Sequence, residues 1–252
     1  MTEWNSNVTR IQPNEIRVRG YRVDELMGNV SFPRVVYLIL KGELPETNVG
    51  EMMDMLFVSS IDHGTTPPST LAARTSASTG APLNAALSAG ILSINKHHGG
   101  AIESAMEILY SWKEHGETPQ QAGKKIVANA RGKKIRLPGL GHRYHTKDPR
   151  TVKLLQAAEE LGLAGDYVKL IKILETEMAD ALGKKLPINV DGAMAAILCE
   201  LGFPAYLANF FFMLARLPGL AAHILEERTR MKPMRKINPL AAGYDGPQER
   251  SL

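Results

Sequence analysis

The chain has a single cysteine, Cys199, so it can form no internal disulfide and fits a reducing compartment. Aromatic residues make up only 6% against eleven methionines, a balance that suits helices better than a β-sandwich. There is no HExxH or CxxC pattern, and one cysteine with scattered histidines does not supply the three or four convergent ligands that zinc requires. Gly139-Leu140-Gly141 has neither a preceding strand nor a third glycine, which excludes a dinucleotide fingerprint, and it is not a P-loop. Residues 1–10 are polar, with no apolar leader. The basic residues are dispersed and lack interleaved aromatics, so the net charge of +4 favours small anionic ligands over nucleic acid. The one long apolar run, 207–225, is interrupted by Asn209, Arg216, Pro218 and His223. It reads as two buried core helices rather than a membrane span. A soluble, cytoplasmic protein is expected.

What is present is helix after helix. Ser31 and Pro33 open one that Gly42 stops. Residues 49–60 place Met52, Met53, Leu56 and Phe57 on one face, and small residues dominate from Thr70 to Thr79. Further helices are predicted from Pro82 to about Asn95, over 101–115 and 119–131, from Arg150 to Gly162, over 166–182 and over 193–201. Only Ile16 to Tyr21 alternates like an extended arm. The fold class is all-α.

The densest chemistry lies in 137–150. Two glycines and a proline in Leu137-Pro138-Gly139-Leu140-Gly141 form a loop whose backbone can approach a ligand, followed at once by His142 and Arg143. The run Lys124 to Arg136 beside it is either a solvated basic face or a contact for a phosphate-bearing ligand. His63, between Asp62 and Gly64 in a polar loop, is either a surface or capping histidine or a ligand contact. His98 stands before Gly99-Gly100 at a helix junction. Asp191 either caps the helix that follows or is a carboxylate among apolar neighbours, made more basic by desolvation and able to take a proton. Arg216, in an apolar segment, needs an anionic partner, internal or bound.

Six words in order resemble the citrate synthase superfamily: Arg19-Gly20-Tyr21, Asp62-His63-Gly64, His98-Gly99-Gly100-Ala101, Gly141-His142-Arg143, Asp148-Pro149-Arg150 and Asn189-Val190-Asp191-Gly192. The loop at His63 lacks the second histidine and the acidic residue usual in citrate synthases, and the chain is shorter than they are. In both respects it is most similar to stand-alone citryl-CoA lyases and to the citryl-CoA lyase module of ATP-citrate lyase. The resemblance implies a large helical domain (1–100 and 204–252) with a smaller inserted lobe (101–203) and an active site in the cleft between them.

It further implies Asp191 as acid/base at the acetyl carbon, His98 on the thioester oxygen and His142 on the citryl hydroxyl. His63 would share that work or bind a substrate carboxylate, with Arg143, Arg150, Arg216 and Arg235 on carboxylates. Arg136, Leu137, Gly139, Leu140 and Gly141 would contact coenzyme A. No metal and no permanently bound cofactor is implied. Expected partners are citryl-CoA, acetyl-CoA, oxaloacetate, a second copy that contributes the site arginine, and a citryl-CoA synthetase. Citrate synthase or 2-methylcitrate synthase is the alternative enzyme, and a CoA- or dicarboxylate-binding protein without activity is the alternative outside catalysis.

Overall fold

A computed structural model describes the chain apart from residues 1–3, 114–115, 142–146, 237, 239, 241, 242, 244, 247, 249 and 252. The described chain is helical, with one small antiparallel sheet of order β1-β2-β3. Strands β1 (Thr9–Gln12), β2 (Glu15–Val18) and β3 (Tyr21–Arg22) form two successive hairpins. Val18 faces Tyr21 across a two-residue turn in which Arg19 (φ 48°) and Gly20 (φ 88°) both have positive φ, as a type I′ turn demands. The Arg19 guanidinium donates to the Ile39 carbonyl at 2.7 and 3.0 Å. A cation thereby sits in the last turn of a helix, where the dipole favours it.

The chain divides into two compact units. The first, Met1–Ile61 with Ile94–Arg216, contains the sheet, α1 (Val23–Leu26), α2 (Phe32–Lys41) and α3 (Thr47–Ser59). Helix α2 begins after Ser31 and ends at Gly42 in the left-handed conformation (φ 93°), as Ser31, Pro33 and Gly42 predicted. On α3, Met52, Met53 and Leu56 are fully buried. The second unit, Asp62–Ser93 with Leu217–Leu252, contains α4 (Pro68–Ser78) and α5 (Leu83–Leu92). In it Ala73, Ala77 and Ala86 pack with Leu220 and Ile224.

The remainder of the first unit is α6 (Ala101–Lys113), α7 (Pro119–Gly132), α8 (Pro149–Glu160), α9 (Asp166–Leu182) and α10 (Val190–Glu200). All of 101–203 falls inside this unit. Helix α10 is its centre, with every residue from Ala193 to Leu198 at 0% exposure and α6, α8 and α9 packed around it. A helix enclosed on every side needs no polar face, which is why its sequence is apolar throughout.

The reading of 207–225 as two helices is corrected. A short 3-10 turn, Ala205–Leu207, leads into one helix, α11 (Ala208–Arg230), with Pro218 inside it. Proline removes one amide donor from a helix, but Pro218 lies on the exposed side, where water can serve the freed carbonyl. Residues of α11 up to Arg216 belong to the first unit and those from Leu217 to the second. Ala205–Arg230 is long and apolar enough to cross a membrane. Even so, Phe211, Arg216, Leu220, Ile224 and Glu227 are at most 2% exposed within the protein.

Candidate active site

The glycine-rich loop is stitched to the segment that starts α10. Gly141 N donates to the Pro187 carbonyl at 2.7 Å, Asn189 N donates to the Gly139 carbonyl at 3.0 Å, and Asn189 Nδ2 donates to the Gly141 carbonyl at 2.8 Å. Gly139 and Gly141 both take φ +85°. The backbones touch so closely that a Cβ on Gly139 would lie 2.7 Å from Gly192 Cα, and one on Gly192 would lie 2.4 Å from the Gly139 oxygen. Glycine is needed at both positions because backbone meets backbone. Of the predicted coenzyme A contacts, the Gly139 carbonyl and both Gly141 backbone groups are thus engaged internally, while Arg136 is exposed and Leu137 buried.

The same segment decides between the two readings of Asp191. The cap of α10 is Asn189, whose Oδ1 accepts the Gly192 amide at 3.1 Å. The helix begins at Val190, three residues earlier than its apolar pattern predicted, so Asp191 lies in the first turn rather than ahead of it. Capping is therefore not its role. Burial raises the Asp191 carboxyl to about 6, against the attraction of Arg150 and Arg216 and with a small push from Asp148. A carboxyl poised there holds or releases a proton close to neutral pH.

Both arginines have structural partners. Arg216 is 2% exposed, donates from Nε to the Ser60 carbonyl at 2.8 Å, and lies 4.8 Å from the centroid of Phe212. Arg150 places its fork on Asp148, with Nε at 3.0 Å from Oδ1 and a terminal nitrogen 2.7 Å from Oδ2. Asp148 is 2% exposed and also caps α8 by accepting the Arg150 amide. The internal anion for Arg150 is thus on its own loop, two residues away.

His98 sits in a tight turn where Asn95 and His98 exchange both backbone hydrogen bonds at 2.8 Å. Gly99 (φ 90°) is confined by Ile94 and Phe212, and Gly100 by the Lys96 backbone. The His98 ring meets Phe212 edge-on, with centroids 5.8 Å apart. Phe212 therefore supports His98 and Arg216 together. In the first unit Phe212 links His98 to Arg216, and Asp191 lies within electrostatic reach of Arg150, Arg216 and Asp148.

The second unit holds His63 and Arg235. His63 is exposed, in a turn closed by the Gly64 amide donating to Asp62 Oδ2 at 2.9 Å. Burial acts to raise the Asp62 carboxyl, but bonds from the Gly64 and His63 amides and from His223 bring it below the usual range. Arg235 lays its fork on Glu227 at 2.6 and 2.8 Å. Bonds from Arg235 first and Arg74 next hold Glu227 low against the cost of its burial. His142 and Arg143 lie outside the described residues. Among the described residues no group of three or more His, Cys, Asp or Glu could hold a metal ion.

Asp148 and Asn189 stand in the family-like words but were given no role there, and Phe212 was not singled out. Asp148 and Asn189 carried a usable signal, because Asp before Pro and Asn just ahead of an apolar helical run are both helix-start patterns. Phe212 carried none beyond its place in an apolar run.

The family described as "Citrate synthase, C-terminal domain" matches residues 46–238. The chain belongs to the citrate synthase family. Among relatives in this family, the citrate/2-methylcitrate synthase of Bacillus subtilis (strain 168) is 31% identical over 215 residues, which are 83% of this chain and 55% of that protein. The 2-methylcitrate synthase of Mycobacterium tuberculosis (strain ATCC 25618 / H37Rv) is 30% identical over 84% of this chain and 52% of its own length. The chain thus spans about half the length of the curated relatives it matches.

Among solved structures, the citryl-CoA lyase from Hydrogenobacter thermophilus is 40% identical with a TM-score of 0.93, covering 100% of this chain and 98% of that one. The ATP citrate lyase from Methanothrix soehngenii, solved with citrate and coenzyme A, superposes with a TM-score of 0.84 at 21% identity. It covers 99% of this chain and 42% of that one, and it shows the shared fold.

Proposed function

We propose that this chain is a citryl-CoA lyase, cleaving citryl-CoA to acetyl-CoA and oxaloacetate. The observation that carries this reading is the end-to-end likeness to the Hydrogenobacter thermophilus citryl-CoA lyase, at 40% identity over both chains. The alternative, a citrate or 2-methylcitrate synthase, is favoured by the names of the relatives that are 30–32% identical, which this chain matches over about half their length.

The cleavage needs three groups. One takes the proton of the citryl hydroxyl, and by family resemblance this falls to His142. As the carbonyl of oxaloacetate forms, the electrons of the breaking carbon–carbon bond move into the thioester, giving the enolate of acetyl-CoA. His98 donates to the thioester oxygen as charge develops there. Asp191, protonated at the start, delivers its proton to the enolate carbon to give the methyl group, and its carboxyl near 6 suits that transfer in either direction. Arg150 and Arg216 supply positive charge next to Asp191 for the substrate carboxylates.

No metal takes part in this scheme, and coenzyme A enters only as the thioester. The same reading includes a homodimer in the cytoplasm, supplied with citryl-CoA by a synthetase. Arg235, whose side chain is 40% exposed, would reach the site of the neighbouring copy.

Incubation of the purified protein with citryl-CoA, resolving acetyl-CoA from free CoA by chromatography, tests the reading. Acetyl-CoA with equimolar oxaloacetate is the expected product. Free CoA with citrate above the spontaneous rate would move the assignment to a synthase.

A further inference from the structure

The turn that carries His63 is held by a residue that the chemistry above does not use. Asp62 spends Oδ2 on the Gly64 amide, and its other oxygen, Oδ1, stands 3.0 Å from His223 Nε2. His223 lies on α11 with 14% of its side chain exposed, and its Nδ1 is 3.8 Å from Glu226 Oε2. Glu226 also meets Arg74 of α4 at 3.4 Å and Arg230 one turn along α11. Arg74 is 5% exposed and passes to Glu227 at 2.7 Å, and Glu227 to Arg235. The charged groups about the imidazole are thus Asp62 and Glu226, with Arg74 and Arg230 behind the second.

Neither helix needs this arrangement to form. The N-cap position of α4 is Pro67, and the apolar cluster of the unit consists of Ala73, Ala77, Ala86, Leu220 and Ile224 without the His223 ring. What the pair joins is an exposed turn and a helix 161 residues further along the chain. A surface turn samples many conformations, and ordering it at the moment of binding weakens the ligand. A bond to a fixed imidazole removes that cost in advance.

We propose that His223 is a positioning residue that, by holding Asp62, fixes the turn presenting His63 and, through Glu226, Arg74 and Glu227, ties that turn to Arg235. The inference rests on the lyase reading, taking of its two roles for His63 the binding of a substrate carboxylate, with Arg235 on another.

The test compares His223→Leu with His223→Gln, whose amide can still donate to Asp62. For His223→Leu, KM for citryl-CoA is expected to rise about tenfold with kcat within about twofold, the scale of one lost hydrogen bond to a charged group. His223→Gln should stay within about threefold of the native KM. The ring resonances of His63, followed by NMR without substrate, should shift or broaden in His223→Leu and return in His223→Gln.

An unchanged KM in an active enzyme, or equal losses in the two variants with a common fall in melting temperature, would overturn the proposal. So would His63 resonances indifferent to His223. Native protein that fails to cleave citryl-CoA, while His63 still responds to His223, would count against the lyase and leave the link between the two histidines standing.

Discussion

Asp191→Asn is expected to lower citryl-CoA turnover about a thousandfold, within the range that a positioned proton-transfer group supplies. Asparagine fills the same volume and keeps the first turn of α10, with Asn189 still capping the Gly192 amide. The fold and the affinity for oxaloacetate should therefore survive. Steady-state cleavage beside oxaloacetate binding by calorimetry separates the two effects. Near-native rates in the variant would remove Asp191 from the reaction.

The same substitution should raise stability, and the pH dependence identifies the cause. The folded carboxyl sits near 6, above its ordinary 3.8, because burial disfavours the anion. The folded state therefore binds the proton more tightly than the unfolded chain. The stability that proton confers is fully present below about 4 and is lost as pH rises through 6. At pH 8 native Asp191 carries a penalty on the order of 3 kcal/mol that Asn lacks, so the variant should melt about 6–12 °C higher. That gap should close as pH falls toward 4. A variant less stable than the native protein at pH 8 would show that the Asp191 anion is held favourably, and the poise near 6 would be wrong.

These residues mark how far the sequence could be read. Local signals placed the helices well where caps and periodicity agree, as in α2 between Ser31 and Gly42 and in α9, whose bounds Asp166 and Leu182 match the apolar spacing. They failed at Pro218, where local chemistry signals a break. The burial of Phe211 and Ala215 before it and of Leu220 and Ile224 after it keeps one helix continuous. Propensity is a local quantity, and the outcome there was set by packing.

At the site, residue types were legible and pairings were not. An arginine in an apolar run announces that it needs an anion. Arg216 lies within the attraction of Asp191, and it donates to the Ser60 carbonyl and faces the Phe212 ring. Nothing in the spacing names a carbonyl 156 residues away. For Arg150 the partner was two residues distant and still missed, because Asp148 also reads as an ordinary helix start before proline. The choice between cap and proton carrier at Asp191 depended on where α10 begins. That start is capped by Asn189 and closely packed by Gly139, a residue from another part of the chain, against Gly192.

Gly192→Ala turns that contact into the second large expected effect. Glycine to alanine inside a helix normally stabilises by up to about 1 kcal/mol, and Gly192 lies in the first turn of α10. Here the added methyl would stand 2.4 Å from the Gly139 oxygen and 3.0 Å from its carbonyl carbon and Cα. All three are backbone atoms of a loop already tied to Pro187 and Asn189, so no side chain can swing aside. The loop must move away from the helix, which stretches the Asn189 N to Gly139 O bond and displaces the turn that carries Asp191. A loss of about 3 kcal/mol in urea unfolding is expected, with citryl-CoA cleavage falling further than the unfolded fraction accounts for. Gly141→Ala is the comparison, since its methyl finds only Leu186 at 3.7 Å and the variant meets only the strain of a +85° φ. It should cost about 1–2 kcal/mol. If Gly192→Ala were as stable as the native protein, the two backbones would not be in contact, and the start of α10 would have to be set by the Asn189 cap alone.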